Sequence, residues 1–399
     1  MSTAFGALLF AYILSQFYRA FLAVISADLA RDLSLNAAGL GNLSAIWFVA
    51  FALAQFPVGL ALDRLGPRRT MAGFYLVAVL GAGLFAVADG FASAAVAMAL
   101  IGVGCSPILM GSYYYFGRTA PPERFAFLAS MLVGLGSMGN LLGAAPLAWS
   151  AASIGWRASM VVIAAATAVS ALAVLLFIRD PARVKAGHAQ EPGFIAGFVE
   201  IFSLRPIRFM AAFILVSYAA VAGLRSLWVA PFFGQVHGFD VGERGQAALL
   251  MAAAMSLGAL AYGPLEKRFG GPKPTVIAGT LVAIVSLAAL VLFGAQSSGA
   301  ALAAYTIFGW SAMTYAILMA HARMFFPAHL LGRGVTALNF LFIGGAGLLQ
   351  WGSGQLVQAT GAAGWAPAET YAALHGGVAV LLAVALAPYL MSPARPEKH

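Results

Sequence analysis

Two arginines lie inside long apolar runs, where a charged side chain is energetically costly and therefore unusual. Arg19 interrupts the run nearest the N-terminus, and Arg225 interrupts one just past the middle of the 399 residues. A charge at the bilayer centre costs about 2.5–3.5 kcal/mol even on the lenient insertion scale, so such a residue faces a water-filled cavity or a partner. Because a guanidinium group holds carboxylate or phosphate through paired hydrogen bonds, both positions predict recognition of an anionic solute. The alternative is that each arginine bonds carbonyls of a broken helix or extends towards the membrane surface.

Polar side chains accompany Arg19 at the spacing of one helix face. Tyr12 and Gln16 precede it by seven and three residues, and Ser26 follows it by seven. Residues at these intervals lie on the same side of an α-helix. The pattern predicts a polar stripe facing a cavity, with Tyr12 and Gln16 among the substrate contacts.

Aromatic residues form a second group of candidates. Tyr218 and Trp228 are spaced to share a helix face with Arg225. A planar part of a substrate could stack on such rings. The alternative is that the aromatic residues form a belt at the membrane surface. We add three aromatic candidates from two other apolar runs: Tyr113, Trp310 and Tyr315.

The elements that must position these residues are membrane-spanning helices. The chain is 62% hydrophobic and 9% charged, whereas a soluble domain carries roughly a quarter charged residues. A spanning helix needs about 20 mostly apolar residues, and within a bilayer such segments must satisfy their own backbone hydrogen bonds. We predict twelve spans, near residues 5–28, 40–62, 70–88, 93–116, 125–149, 158–178, 207–233, 245–265, 274–294, 299–324, 333–357 and 371–391.

A polar stretch divides the spans into two sets of six. Residues 179–206 are rich in charges and contain three prolines, which is typical of a linker. The predicted domains are therefore 1–178, a linker 179–206, and 207–399. With both termini and the linker placed in the cytoplasm, that side carries 17 lysines and arginines against 3 on the other. This bias predicts cytoplasmic termini.

Several other classes of function are disfavoured by composition. The net charge of +9 is spread over short loops without a basic-aromatic module, so we expect no nucleic-acid partner. The single cysteine, Cys105, excludes a disulfide framework and a thiolate metal cluster. No nucleophile–base pair or phosphate-binding G-K-S/T sequence is present, so we predict neither an enzyme nor a primary pump, and no cofactor. The N-terminal run lacks a preceding positive charge, which favours a retained first helix over a signal peptide.

The two halves repeat a loop sequence. Gly59-Leu-Ala-Leu-Asp63-Arg64-Leu-Gly66-Pro-Arg-Arg follows the second predicted span, and a related sequence beginning at Gly263 follows the eighth, 204 residues later. Arg19 and Arg225 are 206 residues apart, so they occupy corresponding positions. Repeats of this size are expected of transporters built from two similar halves.

The segment from Gly59 to Arg69 resembles the G-x-x-x-D-R-x-G-x-R-R loop of the major facilitator superfamily. The resemblance implies an all-α integral membrane fold, with twelve transmembrane helices in two pseudo-symmetric six-helix bundles. It further implies alternating access, with substrate held among spans 1, 4, 7 and 10. The loop would act as a conformational latch formed by Gly59, Asp63, Arg64 and Gly66. The family's role for this loop, stabilising the outward-open state, is carried over to Asp63 and Arg64 only.

Physical chemistry suggests how that latch works. Gly59 would let two helices approach closely. Asp63 would lie at the N-terminal end of a neighbouring helix, whose dipole favours an anion. The arginines of the loop would pair with carboxylates or terminal carbonyls, or would serve only as positive-inside topology residues.

Other branches of the family are alternatives for the substrate. In related organic-phosphate transporters, arginines of spans one and seven bind phosphate, which agrees in position with Arg19 and Arg225. Copper importers of the family use M-x-x-x-M, which is present as Met251 and Met255, although packing is the simpler explanation of two methionines. Proton-coupled drug exporters carry an arginine where this chain has Met98.

We therefore predict a secondary transporter of a small organic solute, anionic or ring-bearing, in a bacterial-type inner membrane. The alternatives are a riboflavin-like vitamin importer, a Cu(I) importer or a drug or metabolite exporter; outside transport, the alternative is a membrane sensor. The expected partners are a small-molecule substrate and the lipid bilayer, and we expect a monomer.

Overall fold

The computed structural model describes residues 2–120, 128, 131–180, 200–326 and 331–395. Within these ranges the chain is helical and contains no β-strand. The described residues group into two compact units. Residues up to Asp180 form the first unit together with Val241–Gln246, and Glu200–Asp240 form the second together with the chain from Ala247 onward. The domain boundaries at 178 and 206 stay a prediction, because most of the predicted linker falls outside the described residues.

The first unit contains six spans in chain order. The first span is broken into three helices, the fourth into two, and the fifth, residues 131–154, is irregular near its middle. The helices of the six spans are Ser2–Phe17, Phe21–Val24 and Ser26–Asp32; Ala37–Leu65; Pro67–Ala86; Phe91–Cys105 and Ile108–Thr119; Met138–Leu142 and Ala145–Ile154; and Trp156–Phe177.

The second unit contains the remaining six spans. The seventh span includes one turn of π-helix, and the tenth is broken near its middle. Their helices are Arg205–Gly223, the π-helix Leu224–Trp228 and Val229–His237; Val241–Arg268; Pro272–Phe293; Ser298–Ser311 and Tyr315–Arg323; Leu331–Ala362; and Pro367–Leu390. The eighth span begins in residues that group with the first unit.

Length and composition identify these helices as membrane spans. Ten of the described helices are long and apolar enough to cross a bilayer. The other two spans are the broken first span and the eleventh, which carries polar residues such as Gln350 within its length. Large apolar side chains face outward, with Leu80 67% and Val285 67% exposed, as lipid contact requires. The architecture is the predicted one: an all-α integral membrane fold of twelve helices, six from each half.

Glycines set the closest helix contacts. A Cβ at Gly104 of the fourth span would lie 2.3 Å from the backbone nitrogen of Ala78 in the third. In the second unit, a Cβ at Gly345 of the eleventh span would lie 1.9 Å from the carbonyl oxygen of Leu215 in the seventh. Small residues at such positions let helix backbones approach, which is how helices associate in lipid.

The prediction of a continuous first span was wrong. The chain leaves the α-helix after Phe17, and the backbone amides of Arg19 and Ala20 donate to carbonyls three residues back. Ser26 therefore belongs to a separate helix, where its hydroxyl donates to the carbonyl of Ala23. The predicted stripe of four polar residues at regular helical spacing is interrupted between Gln16 and Ser26.

Candidate functional site

The break in the first span determines where Arg19 points. The side chain of its neighbour Tyr18 is buried and its hydroxyl is 2.8 Å from Oγ1 of Thr167 in the sixth span. Arg19 is half-buried and faces the second span. Its guanidinium carbon lies 4.9 Å from the ring centroid of Phe51 and 5.6 Å from that of Trp47. A cation over an aromatic face is attracted by the ring's negative surface. Thus aromatic rings support the arginine on one side.

Tyr12 and Gln16 lie in the last two turns before this break and contact each other. Nε2 of Gln16 donates to the hydroxyl of Tyr12 at 3.2 Å. Glycines of the fifth span make room for them, because a Cβ at Gly136 would lie 2.1 Å from Cδ1 of Tyr12 and one at Gly139 would lie 2.9 Å from Cβ of Gln16. The first and fifth spans therefore cross closely beside the polar pair.

Tyr113 is the remaining predicted contact in the first unit. It is half-buried on the helix Ile108–Thr119, which starts after a turn at Ser106 and Pro107 of the fourth span. Its part in a binding site stays a prediction.

Arg225 lies within the π-helix of the seventh span and is 5% exposed. Single turns of π-helix are rare and occur frequently at functional sites. Its neighbours are fixed to the eleventh span by hydrogen bonds. Nε2 of Gln350 donates to Oγ of Ser226 at 2.8 Å, and Nε1 of Trp228 donates to Oγ of Ser353 at 2.8 Å.

These bonds form a short network around the π-turn. The hydroxyl of Ser353 donates to the carbonyl of Gln350 at 3.0 Å, and the hydroxyl of Ser226 donates to the carbonyl of Ala222. Trp228, predicted to share the face of Arg225, is turned to the eleventh span instead. The extra residue in a π-turn changes the helical register, which the regular spacing used in the prediction did not include.

The structure brings Tyr218 and Tyr315 together. Their ring centroids are 5.2 Å apart, and Tyr315 lies 6.0 Å from the ring of Phe342 in the eleventh span. Trp310 lies in a different group, because a break at residues 312–314 separates it from Tyr315. Its ring is 6.1 Å from that of Tyr262 in the eighth span.

The two methionines considered for copper are packed in the core. Met251 and Met255 are 0% and 6% exposed, and both adjoin Gly309 of the tenth span. His321 of the tenth span has partners at both ring nitrogens, the Tyr389 hydroxyl at 2.9 Å and the Pro393 carbonyl at 3.1 Å, so neither nitrogen is open to a copper ion. This geometry fits helix packing.

The loop between the second and third spans is tied to the end of the sixth. Gly66 has a φ of +83°, which favours glycine, and a Cβ there would lie 2.4 Å from Oδ1 of Asp180. The same carboxylate accepts the backbone N–H of Arg68 at 2.9 Å, at the N-terminus of Pro67–Ala86 where the helix dipole favours an anion. Nε of Arg68 donates to the carbonyl of Leu175 at 2.6 Å. Asp180 thus has the helix-capping role that the prediction sought for Asp63.

The close helix contact expected at Gly59 is not present among the described residues, and its part in the latch stays a prediction. Gly59 is exposed, and among described atoms a Cβ there would meet nothing within 4 Å, so it makes no close helix contact. Asp63 and Arg64 lie in the last turns of Ala37–Leu65. The side chain of Asp63 lies outside the described part of the structure, and Arg64 is exposed.

Sequence reasoning missed Gln350, Ser353 and Asp180. Gln350 and Ser353 interrupt the apolar sequence of the eleventh span, a signal that could have identified them. Asp180 lies in the predicted linker, and no local pattern connects it to a loop more than a hundred residues earlier.

Comparison with known proteins identifies the fold. Residues 8–349 match the model of the Major Facilitator Superfamily. A D-xylose–proton symporter has a TM-score of 0.81 at 14% identity, covering 98% of both chains. A bacterial homologue of the human lysosomal transporter Spinster, in an inward-facing and occupied conformation, has a TM-score of 0.78 at 20% identity, covering 98% of this chain and 96% of that one.

Two curated relatives are also similar in sequence. The hexuronate transporter of Bacillus subtilis (strain 168) is 23% identical over 173 residues, which cover 43% of this chain and 41% of that protein. The probable L-galactonate transporter of Escherichia coli (strain K12) is 23% identical over 205 residues, covering 50% of this chain and 44% of that protein. The chain matches less than half the length of either relative. On the family match over most of its length, this chain belongs to the Major Facilitator Superfamily.

Proposed function

We propose that this protein is a secondary transporter of small organic anions of the sugar-acid class, working by alternating access. The main observation in support is that Arg19 and Arg225, at corresponding positions of the two halves, each lie at an irregularity of a spanning helix. A sugar acid combines a carboxylate, which suits a guanidinium group, with hydroxyls that suit Gln16 and Tyr12. The names of the two curated relatives, hexuronate and L-galactonate transporters, support the same class.

The proposal assigns roles to the predicted contacts. Arg19 and Arg225 bind the anionic group, Tyr12 and Gln16 donate to hydroxyls, and the aromatic residues pack against the ring or chain. The aromatic residues in this role are Tyr113, Tyr218, Trp310 and Tyr315. Asp63, Arg64 and Gly66 act in the conformational latch. Both termini are proposed to be cytoplasmic, in a bacterial-type inner membrane, with a monomer as the working unit.

Binding and uptake test the proposal together. The purified full chain would be heated with galacturonate, glucuronate or galactonate, and with galactose and glucose as uncharged controls. A ligand that binds only the folded state raises its stability with ln(1 + [L]/Kd). We expect sugar acids, and not the neutral sugars, to raise the melting temperature and to be taken up by sealed vesicles containing the protein.

Arginine variants test the assigned contacts. Losing a charge-assisted hydrogen bond costs about 1.5–3 kcal/mol, so Arg19→Gln and Arg225→Gln should each weaken anion binding roughly 10- to 150-fold. Arg157→Gln is the matched control, since Arg157 also lies over an aromatic ring, 4.2 Å from Trp156, at the start of the sixth span. An anion response that survives in both site variants, or is lost equally in Arg157→Gln, would rule out the arginine site.

A further inference from the structure

A groove runs along the outer side of the second unit. It has a volume of about 290 Å³ and is lined by the seventh, eleventh and twelfth spans. Leu348 and Leu381 stand at its edge with 57% and 44% of their surfaces exposed. Of its three lining glycines, Gly345 makes the close contact with Leu215 described above, whereas a Cβ at Gly352 or Gly377 would meet no described atom within 4 Å. Unlike the glycines at close helix contacts, these two leave space rather than allow contact.

The groove is suited to hydrocarbon. Apart from the three glycines and Ser353, its lining residues are aliphatic. The Ser353 hydroxyl is already used, because it accepts from Nε1 of Trp228 and donates to the carbonyl of Gln350. An occupant with polar groups would therefore lose hydrogen bonds to water without replacement, whereas an acyl chain loses none.

Two arginines lie in line with the groove at the start of Arg205–Gly223, the first helix of the seventh span. Arg205 and Arg208, with Phe209, border a smaller recess of about 260 Å³. Both side chains are exposed, and in the described ranges neither guanidinium has a hydrogen-bond or ion-pair partner. Arg208 and Leu215 of the groove are seven residues apart, two helical turns, so they lie on one face of the helix about 11 Å apart.

We propose that this face of the seventh span binds one anionic phospholipid. The phosphate contacts Arg205 and Arg208, and one acyl chain extends along the helix into the groove. The dimensions agree, because half of a hydrocarbon core about 30 Å thick is about 15 Å, and Ala219 of the groove lies about 17 Å from Arg208 along the helix. Basic residues beside a span attract anionic lipids in this way.

The site adjoins the network that holds the π-turn. Ser353 lines the groove and also binds Trp228, the last residue of the π-helix. An acyl chain in the groove therefore packs against the support of the turn that carries Arg225. Through this contact, lipid composition would influence transport.

Lipid titration tests the proposed contact between the lipid phosphate and the two arginines. The detergent-purified full chain would be titrated with dioleoyl phosphatidylglycerol and, separately, with dioleoyl phosphatidylcholine. Melting temperature and retained lipid, counted by native mass spectrometry, are the readouts. We expect preferential retention of phosphatidylglycerol, and about 30-fold weaker binding of it in Arg205→Gln/Arg208→Gln, from roughly 1 kcal/mol for each arginine. Lys267→Gln/Arg268→Gln removes two exposed charges from the end of the eighth span and should leave binding unchanged.

Groove-filling variants test the acyl chain. Leucine at Gly352 or Gly377 would occupy the open space, so each variant should lose retained phosphatidylglycerol, whereas Gly83→Leu, at another open position in the third span, should retain it. Inorganic phosphate alone should have no effect. Equal retention of both lipids, unchanged binding in the arginine pair, or full retention in both groove variants would overturn the proposal. A response to inorganic phosphate equal to that for phosphatidylglycerol would also overturn it.

Discussion

Arg19 and Arg225 occupy corresponding sequence positions but different structural surroundings. At Arg19 the α-helix stops and restarts, and the half-buried guanidinium lies over the rings of Phe51 and Trp47. At Arg225 the helix continues through a π-turn, and hydrogen bonds to the eleventh span fix the flanking residues. One half thus positions its arginine with aromatic faces and the other with a polar network. Corresponding positions in a repeat therefore need not have corresponding supports, and the two arginines should respond differently to substitution.

Among the variants that separate the two arginines, exchanging each arginine for lysine should cause the largest loss of sugar-acid binding. Lysine keeps the positive charge but loses the planar fork that holds a carboxylate through two bonds. Losing one charge-assisted bond costs about 1.5 kcal/mol, so we expect roughly tenfold weaker sugar-acid binding in Arg19→Lys and Arg225→Lys. The loss should be greater at Arg225, because its deeper burial strengthens electrostatic interactions. Equilibrium binding to the purified variants provides the measurement, and full affinity in both would mean that charge alone matters.

Removing an aromatic ring beside Arg19 should weaken anion binding through the contact in the first unit alone. Phe51→Leu takes away a ring beneath Arg19, and an interaction of about 0.5–1 kcal/mol predicts two- to fivefold weaker anion binding. Phe48→Leu is the matched control, since this buried neighbour is a Phe on the same helix. If the two variants weaken binding equally, packing rather than the cation–ring contact is responsible.

The polar support of the second unit can be tested by a double-mutant cycle. Gln350→Leu and Ser226→Ala remove the two partners of one buried hydrogen bond. Such bonds in membrane helices couple by about 0.6 kcal/mol on average, so the double variant should be more stable than the sum of the single changes predicts by about this amount. Unfolding of the four proteins gives the coupling energy. Zero coupling would contradict the assigned support of the π-turn.

The smallest expected effect, on thermal stability, concerns Asp32, the exposed last residue of the helix Ser26–Asp32, four residues beyond the predicted end of the apolar segment at residue 28. Nε1 of Trp156 donates to its carboxylate at 2.8 Å, and Arg31 forms an ion pair with it at 2.8 Å. These contacts lower the pKa of Asp32 below its ordinary 3.8. The carboxylate therefore stabilises the fold above about pH 3.8, and this contribution disappears as the pH falls through the lowered pKa.

Thermal unfolding between pH 6 and pH 3 measures this contribution. Wild type should exceed Asp32→Asn in melting temperature at pH 6, and the gap should narrow in acid. Sugar-acid binding at pH 6 should be equal in the two proteins, because Asp32 stabilises the fold and does not contact Arg19 or Arg225. A gap that widens in acid would contradict the direction of the pKa shift.

The apolar runs were sufficient to predict twelve spans, because lipid requires long stretches of hydrophobic sequence whatever the tertiary contacts. The irregularities within the spans were not predictable in this way. No proline or glycine marks the end of the first helix at Phe17, and no residue type in the segment Leu224–Trp228 distinguishes a π-turn from a regular helix. Both depend on contacts with other spans, such as Tyr18 with Thr167 and Ser226 with Gln350. The motif likewise gave the location of Gly59 but not the direction it faces.

The clasp between Gly66 and Asp180 has a consequence for the order of assembly. The two residues are 114 positions apart, with three complete spans between the helix that ends at Leu65 and the helix that ends at Phe177. Because a ribosome releases the chain from its N-terminus, the loop after the second span emerges long before its capping carboxylate is made. The loop can reach its final conformation only after the sixth span has been synthesised. The first half of the protein therefore completes its folding only when its last helix is present.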